Sequence, residues 1–197
     1  MIDRALRVFA TGLLSFCFVS SVSAQFAEVE TNEVRIIYID PFQTYLVPHV
    51  GRCFINSLTF ERRLLGYTPS QKMTVLLTDI GDSGNASASA VPRDFLGLEI
   101  SPISTAYEVV SPNERFNWLL NHEMVHIATV DQAARPDRRA RAFFGGKVSP
   151  NNDDPESILY YYLTAPRKSS PSWYMEGIAV FVETWMAGGQ GRAQGPW

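Results

Sequence analysis

The stretch NHEMVHIATV, residues 121–130, places two histidines four positions apart, with a glutamate directly after the first. On a helix, residues i and i+4 share one face, so His122 and His126 can direct ring nitrogens at a single Zn²⁺. Glu123 is rotated by about 100° from His122, which puts its carboxylate beside the ion and not on it. The stretch therefore predicts a zinc-binding helix in which Glu123 acts as general base and acid for a water molecule.

The residues before this pair carry the signals of a helix start. Ser111 can cap a helix, Pro112 suits the first helical position, and Glu114 completes a capping box. We predict one helix from these residues through the stretch 121–130.

A catalytic zinc usually has three protein ligands and leaves one position for water. The metzincin solution needs a histidine at position 132, where this chain has Gln132. The spare histidine, His49, lies on another predicted helix and is expected to be a core or surface residue. The other candidates are carboxylates: Asp131, Asp153, Asp154, Glu156, Glu176 and Glu183.

Glu176 and Glu183 differ from the other carboxylates because they lie in the mostly apolar segment WYMEGIAVFVE (173–183). They are seven residues apart and share one helix face, where burial of two carboxylates is costly unless positive charge lies opposite. We therefore predict Glu176 as the third ligand, with Glu183 as a reserve ligand or a hydrogen-bond partner behind one of the histidines. Gly177 is expected to let this helix approach another backbone closely. The alternative is an amphipathic helix with two exposed glutamates.

The remaining carboxylates have ordinary structural explanations. Asp131 is expected to end its helix, and Asp153, Asp154 and Glu156 resemble the cap and first turn of a short helix.

The rest of the chain predicts an α+β domain, in which a small, mostly antiparallel sheet packs on helices. After a polar lead-in (25–33), strands are predicted at 34–40 and 73–80, with one or two extended segments at 86–101. Helices are predicted at 44–65 (ending at Gly66), 136–144, 155–164 and from Ser170 and Pro171 onward. The basic helix at 136–144 is expected to present a solvated face.

Residues 1–24 have the layout of a secretory signal peptide. Arg4 and Arg7 precede an apolar run, and small residues precede a cleavage site after Ala24. The apolar run is short for a bilayer span, although an uncleaved anchor is the alternative. We predict an exported protein, periplasmic or secreted, with a mature domain at 25–197 and no stable membrane span.

Charge and cysteine content narrow the function further. The formal net charge of −3 gives no electrostatic reason to expect nucleic acid as a partner. After removal of residues 1–24 the chain keeps one cysteine, Cys53, so neither an internal disulfide nor a zinc site of several cysteines can form. Cys53 is expected to be a small buried residue, with a nucleophilic role as the alternative.

HEMVH followed by WYMEGIAVFVE resembles the gluzincin metallopeptidases of the peptidase MA clan. The second motif is similar to the W-x-x-E-G-x-A segment of the aminopeptidase branch, in which the glutamate is the third zinc ligand. The resemblance implies a zincin-like fold with HEMVH on a central active-site helix, Zn²⁺ held by His122, His126 and Glu176, and Glu123 as general base. It also implies that ASASA (86–90) is an edge strand that pairs with a bound peptide.

The chain departs from the aminopeptidase pattern in two ways. A long segment, residues 127–175, separates the two motifs, and no segment matches the one that anchors a substrate amino terminus. The chain therefore looks like an exported bacterial member of the clan that acts on an unassigned peptide or protein substrate.

Gluzincins normally supply a tyrosine or histidine after the third ligand to stabilise the oxyanion. This chain has neither after Glu176, where Arg192 is the strong donor that remains. We therefore expect the 197 residues to be incomplete at the carboxyl end, with a further C-terminal domain possible. The alternative is that Arg192, or an upstream tyrosine such as Tyr107, takes this role.

Three functions are consistent with the sequence. The first is zinc-dependent peptide hydrolysis. The second is a non-catalytic exported module that binds peptides or partners on a zincin-like scaffold. The third is an exported interaction module without metal, whose histidines are satisfied by ordinary hydrogen bonds.

Overall fold

A five-stranded sheet and five α-helices form the described part of the chain, in a computed structural model that describes residues 24–81, 84–101 and 114–188. The strands are β1 (Gln25–Glu30), β2 (Val34–Asp40), β3 (Met73–Thr78), β4 (Ala86–Ser89) and β5 (Phe95–Glu99). The helices are α1 (Val47–Leu65), α2 (Arg115–Asp131), α3 (Arg135–Phe144), α4 (Glu156–Thr164) and α5 (Ser172–Met186). None of these helices combines the length and hydropathy needed to cross a membrane. The predicted signal peptide, apart from Ala24, lies outside the described residues.

The sheet is mixed, so the α+β class is confirmed but the prediction of a mostly antiparallel sheet is wrong. The strand order is β1-β2-β3-β5-β4, with antiparallel pairs at the two ends and parallel pairs β2–β3 and β3–β5 in the middle. Parallel neighbours need a crossover connection, which α1 provides between β2 and β3. After β3 the chain runs along the edge as β4 and returns as β5, parallel to β3.

One face of the sheet carries the hydrophobic core. Every second residue of the central strands is fully or almost fully buried, as in Val34 and Ile36 of β2 and Leu96 and Leu98 of β5. These side chains form one cluster with residues of α1 and α2. The strands predicted at 34–40 and 73–80 are confirmed as β2 and β3, although β3 ends at Thr78, and one face of each is in the core.

Strand β1 was missed by the sequence analysis, which predicted a polar lead-in at 25–33. β1 pairs antiparallel with β2 along its whole length. Most of its residues are exposed, including Phe26 and Val29. With neither face in the core, the segment has no strong hydrophobic alternation to reveal a strand.

The described start of α2 differs from the predicted capping box. The N-cap is Glu114, whose carboxylate accepts hydrogen bonds from the backbone N–H groups of Phe116 (3.1 Å) and Asn117 (2.8 Å). Ser111 and Pro112, the predicted cap and first helical residue, lie outside the described residues. α5 likewise begins one residue later than predicted, at Ser172.

The other end of α2 is fixed by a buried carboxylate. Asp131 is the last residue of the helix, and its oxygens accept hydrogen bonds from the Tyr67 hydroxyl (3.2 Å) and from the backbone and side chain of Ser70 (2.9 and 2.6 Å). The Arg141 guanidinium (3.1 Å) and the Lys147 ammonium (2.7 Å) complete the set. Burial raises the pKa of the Asp131 carboxyl, but the bonds from Lys147 and Ser70 outweigh it and hold the pKa below its ordinary value.

The basic helix α3 presents a solvated face as predicted, but one of its arginines lies inside. Arg141 is buried and also donates to the backbone carbonyls of Thr164 (2.7 Å) and Asp131 (2.7 Å). Lys147 bridges Asp131 to Asp94, which precedes β5 (2.6 Å). The network therefore ties α3, the segments around Ser70 and Asp94, and the end of α2 together.

We expect Lys147→Met to destabilise the fold strongly. The variant leaves Asp131 and Asp94 buried without their shared cation, and breaking a buried pair in this way costs about 3–5 kcal/mol in the free energy of unfolding. Lys72→Met is the matched control, since Lys72 pairs with Glu30 at the surface and such pairs contribute about 0–1 kcal/mol. Urea unfolding measures both, and equal losses would contradict a special role for the buried network.

A second buried carboxyl, Glu61 on α1, makes stability depend on pH. Its side chain is fully buried, no described residue hydrogen-bonds to its oxygens, and burial raises its pKa from 4.5 to about 7. Between these values the folded chain holds a proton that the unfolded chain has released, so stability falls as pH rises through this window.

We expect Glu61→Gln to be more stable than the parent at high pH and equally stable at low pH. The difference should grow from near zero at about pH 4 to about 3 kcal/mol at about pH 8, since each pKa unit corresponds to 1.36 kcal/mol. Denaturant unfolding across this range measures it, with the exposed Glu28→Gln as control. A difference that does not change with pH would contradict the raised pKa.

Candidate metal centre

The two histidines of NHEMVHIATV lie on α2, one helical turn apart, and their rings meet edge to face. The Nε2 atoms of His122 and His126 are 3.2 Å apart, and the ring centroids are separated by 4.9 Å. His122 is buried and His126 half-buried. α2 is almost wholly buried between the sheet, α1 and α5, so the pair is held in a fixed orientation.

Glu176 of α5 completes a group of three donors. Its Oε2 atom lies 3.3 Å from Nε2 of His122 and its Oε1 atom lies 3.4 Å from Nε2 of His126. Tetrahedral zinc with N and O ligands at 2.0–2.1 Å requires ligand atoms to be about 3.3 Å apart. The separation of the two Nε2 atoms fits this value, as does the distance from each of them to its nearer Glu176 oxygen. With one oxygen taken from Glu176, the three donor atoms lie within 4.8 Å of one another, which is close enough for one ion to draw them together.

Helix α5 reaches this position because one of its faces packs on α2. Ala179 and Val182 form a buried cluster with Val125, and the Thr129 hydroxyl contacts the Met175 sulfur at 3.9 Å. Val125 and Thr129 alternate along α2 with the two histidines, so the packing that docks α5 also sets Glu176 opposite them.

Two expectations about α5 are corrected. Trp173, Phe181 and Trp185 are exposed. The Glu176 side chain is itself 61% exposed, so of the two glutamates expected to be buried on one face, Glu183 alone is buried. Gly177 provides no close approach, since a Cβ atom there would meet nothing within 4 Å.

Glu183, one of the two glutamates on the shared face, is buried and bonds to His122. Its Oε2 atom lies 2.7 Å from Nδ1 of His122, on the far side of the ring from Glu176. A carboxylate on Nδ1 favours the tautomer that carries its proton there, which leaves the Nε2 lone pair directed at the other donors. The structure thus places Glu183 at Nδ1 of His122 and Glu176 at Nε2 of the same ring.

His126 is suited to binding a cation. Burial and the neighbouring His122 hold its pKa below the ordinary value, against the raising effect of the Glu176 charge. A lowered pKa favours the neutral ring, which is the form that binds metals.

The donors open into a cleft of about 550 Å³. One wall is β4 and its flanks, the floor is α2, and the other wall is the start of α5. Glu123 lines the cleft beside the histidines and is 8% exposed. β4 is the last strand at this end of the sheet, as expected for an edge strand, and it runs past the donors.

Lys168 is a cleft residue that the sequence analysis did not consider. It precedes α5 and lines the cleft, and its positive charge contributes to the lowered pKa of His126. Its position depends on the 3-10 turn Pro166–Ser169, which no local pattern placed near the histidines.

The other candidates lie elsewhere or outside the described residues. Asp131 belongs to the network at the end of α2, and Asp153, Asp154 and Glu156 lie at the start of α4, away from the cleft lining. His49 lies beside Cys53 and Glu114. Burial and the Glu114 charge raise the pKa of the Cys53 thiol to about 12, which disfavours the nucleophilic alternative. Tyr107 and Arg192 lie outside the described residues.

Comparison with known proteins gives no relative: no family model, no curated protein and no solved structure matches this chain. The chemistry of the site is therefore inferred from its own donors, distances and surroundings.

We expect Glu183→Gln to weaken zinc binding without abolishing it. Loss of the carboxylate behind a metal-binding histidine typically lowers affinity by about 10–100-fold. Competition with a chromophoric chelator measures the dissociation constant, and Glu156→Gln, an exposed change on α4, is the control. If Glu183→Gln loses more affinity than Glu176→Gln, Glu183 and not Glu176 is the ligand.

Proposed function

We propose that this protein is a zinc-dependent metallopeptidase of the gluzincin type, built on a zincin-like scaffold. The observation that carries the proposal is the convergence of His122, His126 and Glu176, whose donor atoms lie 3.2–3.4 Å apart at the floor of an open cleft. Glu123 beside this group and Glu183 behind it supply the two further carboxylates that the chemistry uses.

The donor set favours zinc over other common ions. Two imidazoles and one carboxylate are the ligands of known catalytic zinc sites, whereas Mg²⁺ and Ca²⁺ prefer oxygen alone. When bound, zinc lowers the pKa of a water molecule towards neutrality and polarises a substrate carbonyl.

Glu123 is proposed as the group that moves the proton. It follows His122 on α2 and faces the cleft, so its carboxylate can accept a proton from the attacking water and donate it to the leaving amine. Its low exposure keeps bulk water from competing for that proton.

The substrate class follows from the wall of the cleft. β4 is the last of the described strands at this end of the sheet and lies beside the donors, and an extended peptide can pair with such an edge through main-chain hydrogen bonds. The strand sequence ASAS has only small side chains, which leaves room for substrate side chains. The leader-like residues 1–24 support export, so the proposed substrates are peptides or proteins outside the cytoplasm.

A non-catalytic module that binds peptides on the same scaffold is the second candidate. It is favoured by the described lining of the cleft, which contains no tyrosine or arginine to stabilise an oxyanion and offers Lys168 as its cation. Binding of zinc and peptide without turnover would identify this function.

The zinc peptidase is tested by metal content and turnover together. We expect the purified chain to bind zinc through its two histidines and Glu176, and to hydrolyse members of an unbiased peptide pool. Glu123→Gln should keep the zinc and lose about 10²–10⁴-fold or more in turnover, because glutamine is nearly isosteric but cannot accept the proton.

Glu156→Gln is again the matched control, with metal and turnover expected at the parent level. Zinc absent from the parent even after reconstitution would contradict the metal site. Equal turnover in Glu123→Gln and the parent would exclude Glu123 as the base, and zinc without turnover in the parent would favour the binding module.

A further inference from the structure

A second group of metal-binding side chains lies where α1 meets the start of α2. Nε2 of His49 is 3.7 Å from the Cys53 sulfur and 3.1 Å from Oε1 of Glu114, and the sulfur is 3.5 Å from Oε2 of Glu114. His49 and Cys53 lie one turn apart on α1 and Glu114 precedes α2, and each offers a different kind of donor: nitrogen, sulfur and oxygen.

These separations match a tetrahedral ion with one thiolate ligand. With a Zn–S bond of about 2.3 Å and Zn–N and Zn–O bonds of about 2.0–2.1 Å, sulfur lies about 3.5 Å from the other ligand atoms. The nitrogen and oxygen ligands lie about 3.3 Å apart in the same geometry. The N–S separation, and the shortest separations of these two atoms from Glu114, which involve its two different oxygens, agree with these values to within a few tenths of an ångström. With one oxygen taken from Glu114, the three donor atoms lie within 4.8 Å of one another.

The same atoms do not have the arrangement of a cysteine–histidine–glutamate catalytic triad. A triad uses the two ring nitrogens separately, one for the nucleophile and one for the carboxylate. Here Nε2 of His49 faces both the Cys53 sulfur and the Glu114 carboxylate. Donors that face one shared point, rather than a chain of proton transfers, are the arrangement of an ion site.

The group has a route to solvent. The His49 and Glu114 side chains are 37% and 44% exposed, whereas Cys53 is buried, so an ion can enter from one side. The Glu114 carboxylate also accepts two backbone N–H bonds from the start of α2, which hold it in this position.

This group is separate from the first three donors. His49, Cys53 and Glu114 do not line the cleft, and eight residues of α2, a rise of about 12 Å, separate Glu114 from His122. We infer that His49, Cys53 and Glu114 form a second, structural site for a thiophilic divalent ion of the Zn²⁺ class, which displaces the proton of the Cys53 thiol on binding and ties α1 to the amino terminus of α2.

Cobalt tests this site because it reports the sulfur ligand directly. The chain is stripped of metal, loaded with Co²⁺ and desalted, and bound cobalt is counted. A cysteine thiolate bound to Co²⁺ gives an intense near-ultraviolet charge-transfer band, which a site of two histidines and one glutamate cannot give. We expect two ions per chain and this band in the parent.

Variants separate the two sites. His122→Ala combined with His126→Ala should keep the band and one ion, even if the proposed peptidase site is wrong. Cys53→Ala should lose the band and one ion. His49→Gln, a change at a half-exposed position, should weaken the binding that produces the band by at least 10-fold.

Several results would overturn the second site: cobalt bound to the parent without the band, a band that survives in Cys53→Ala, or unchanged affinity in a folded His49→Gln. Loss of the band in the folded double histidine variant would also overturn it, since the thiolate signal would then depend on the first group. Circular dichroism and thermal melts establish that each variant is folded.

Discussion

The buried carboxylate of Asp131 holds α2, α3 and the loops next to them in their relative positions. Taking a charge out of water costs several kcal/mol, and the cost is offset here by hydrogen bonds from a tyrosine, a serine, Arg141 and Lys147. These donors come from the loop after α1, from α3 and from the segment after it. Because Asp131 is also the last residue of α2, the same bonds fix the helix whose middle carries His122 and His126.

α2 packs against several other elements, and its buried His122 has a partner on one of them, Glu183 of α5. It contacts α1, α5 and the strands at the β4 end of the sheet, and buries most of its residues. A buried imidazole or carboxylate on such a helix is unfavourable without a partner. Glu183 is the partner of Nδ1 of His122. A cation bound between the two Nε2 atoms and Glu176 would be the partner on the other side of the ring.

The sequence predicted features that depend on neighbouring residues, and missed those that depend on distant ones. The helix through 121–130, the strand at 34–40 and the helix end at Gly66 follow from local sequence, and each was predicted correctly. The mixed sheet was not predicted. β4 lies at the edge of the sheet, so that β5 pairs parallel with β3, and local sequence does not determine this order of strands. His49 and Cys53 are four residues apart, like His122 and His126. Their spacing alone did not indicate a metal site, because the third member of the group, Glu114, lies far along the chain.

The candidate centre draws its donors from two helices that are far apart in the sequence. His122 and His126 belong to α2 and Glu176 to α5, with α3 and α4 in the segment between them. Any ion held by all three would act as a cross-link and close this segment into a loop. A cross-link lowers the entropy of the unfolded chain, by an amount that grows slowly with loop length. Removal of the ion by a chelator would remove this cross-link. The packing of α5 on α2 would then be lost before the pairing of the strands in the sheet.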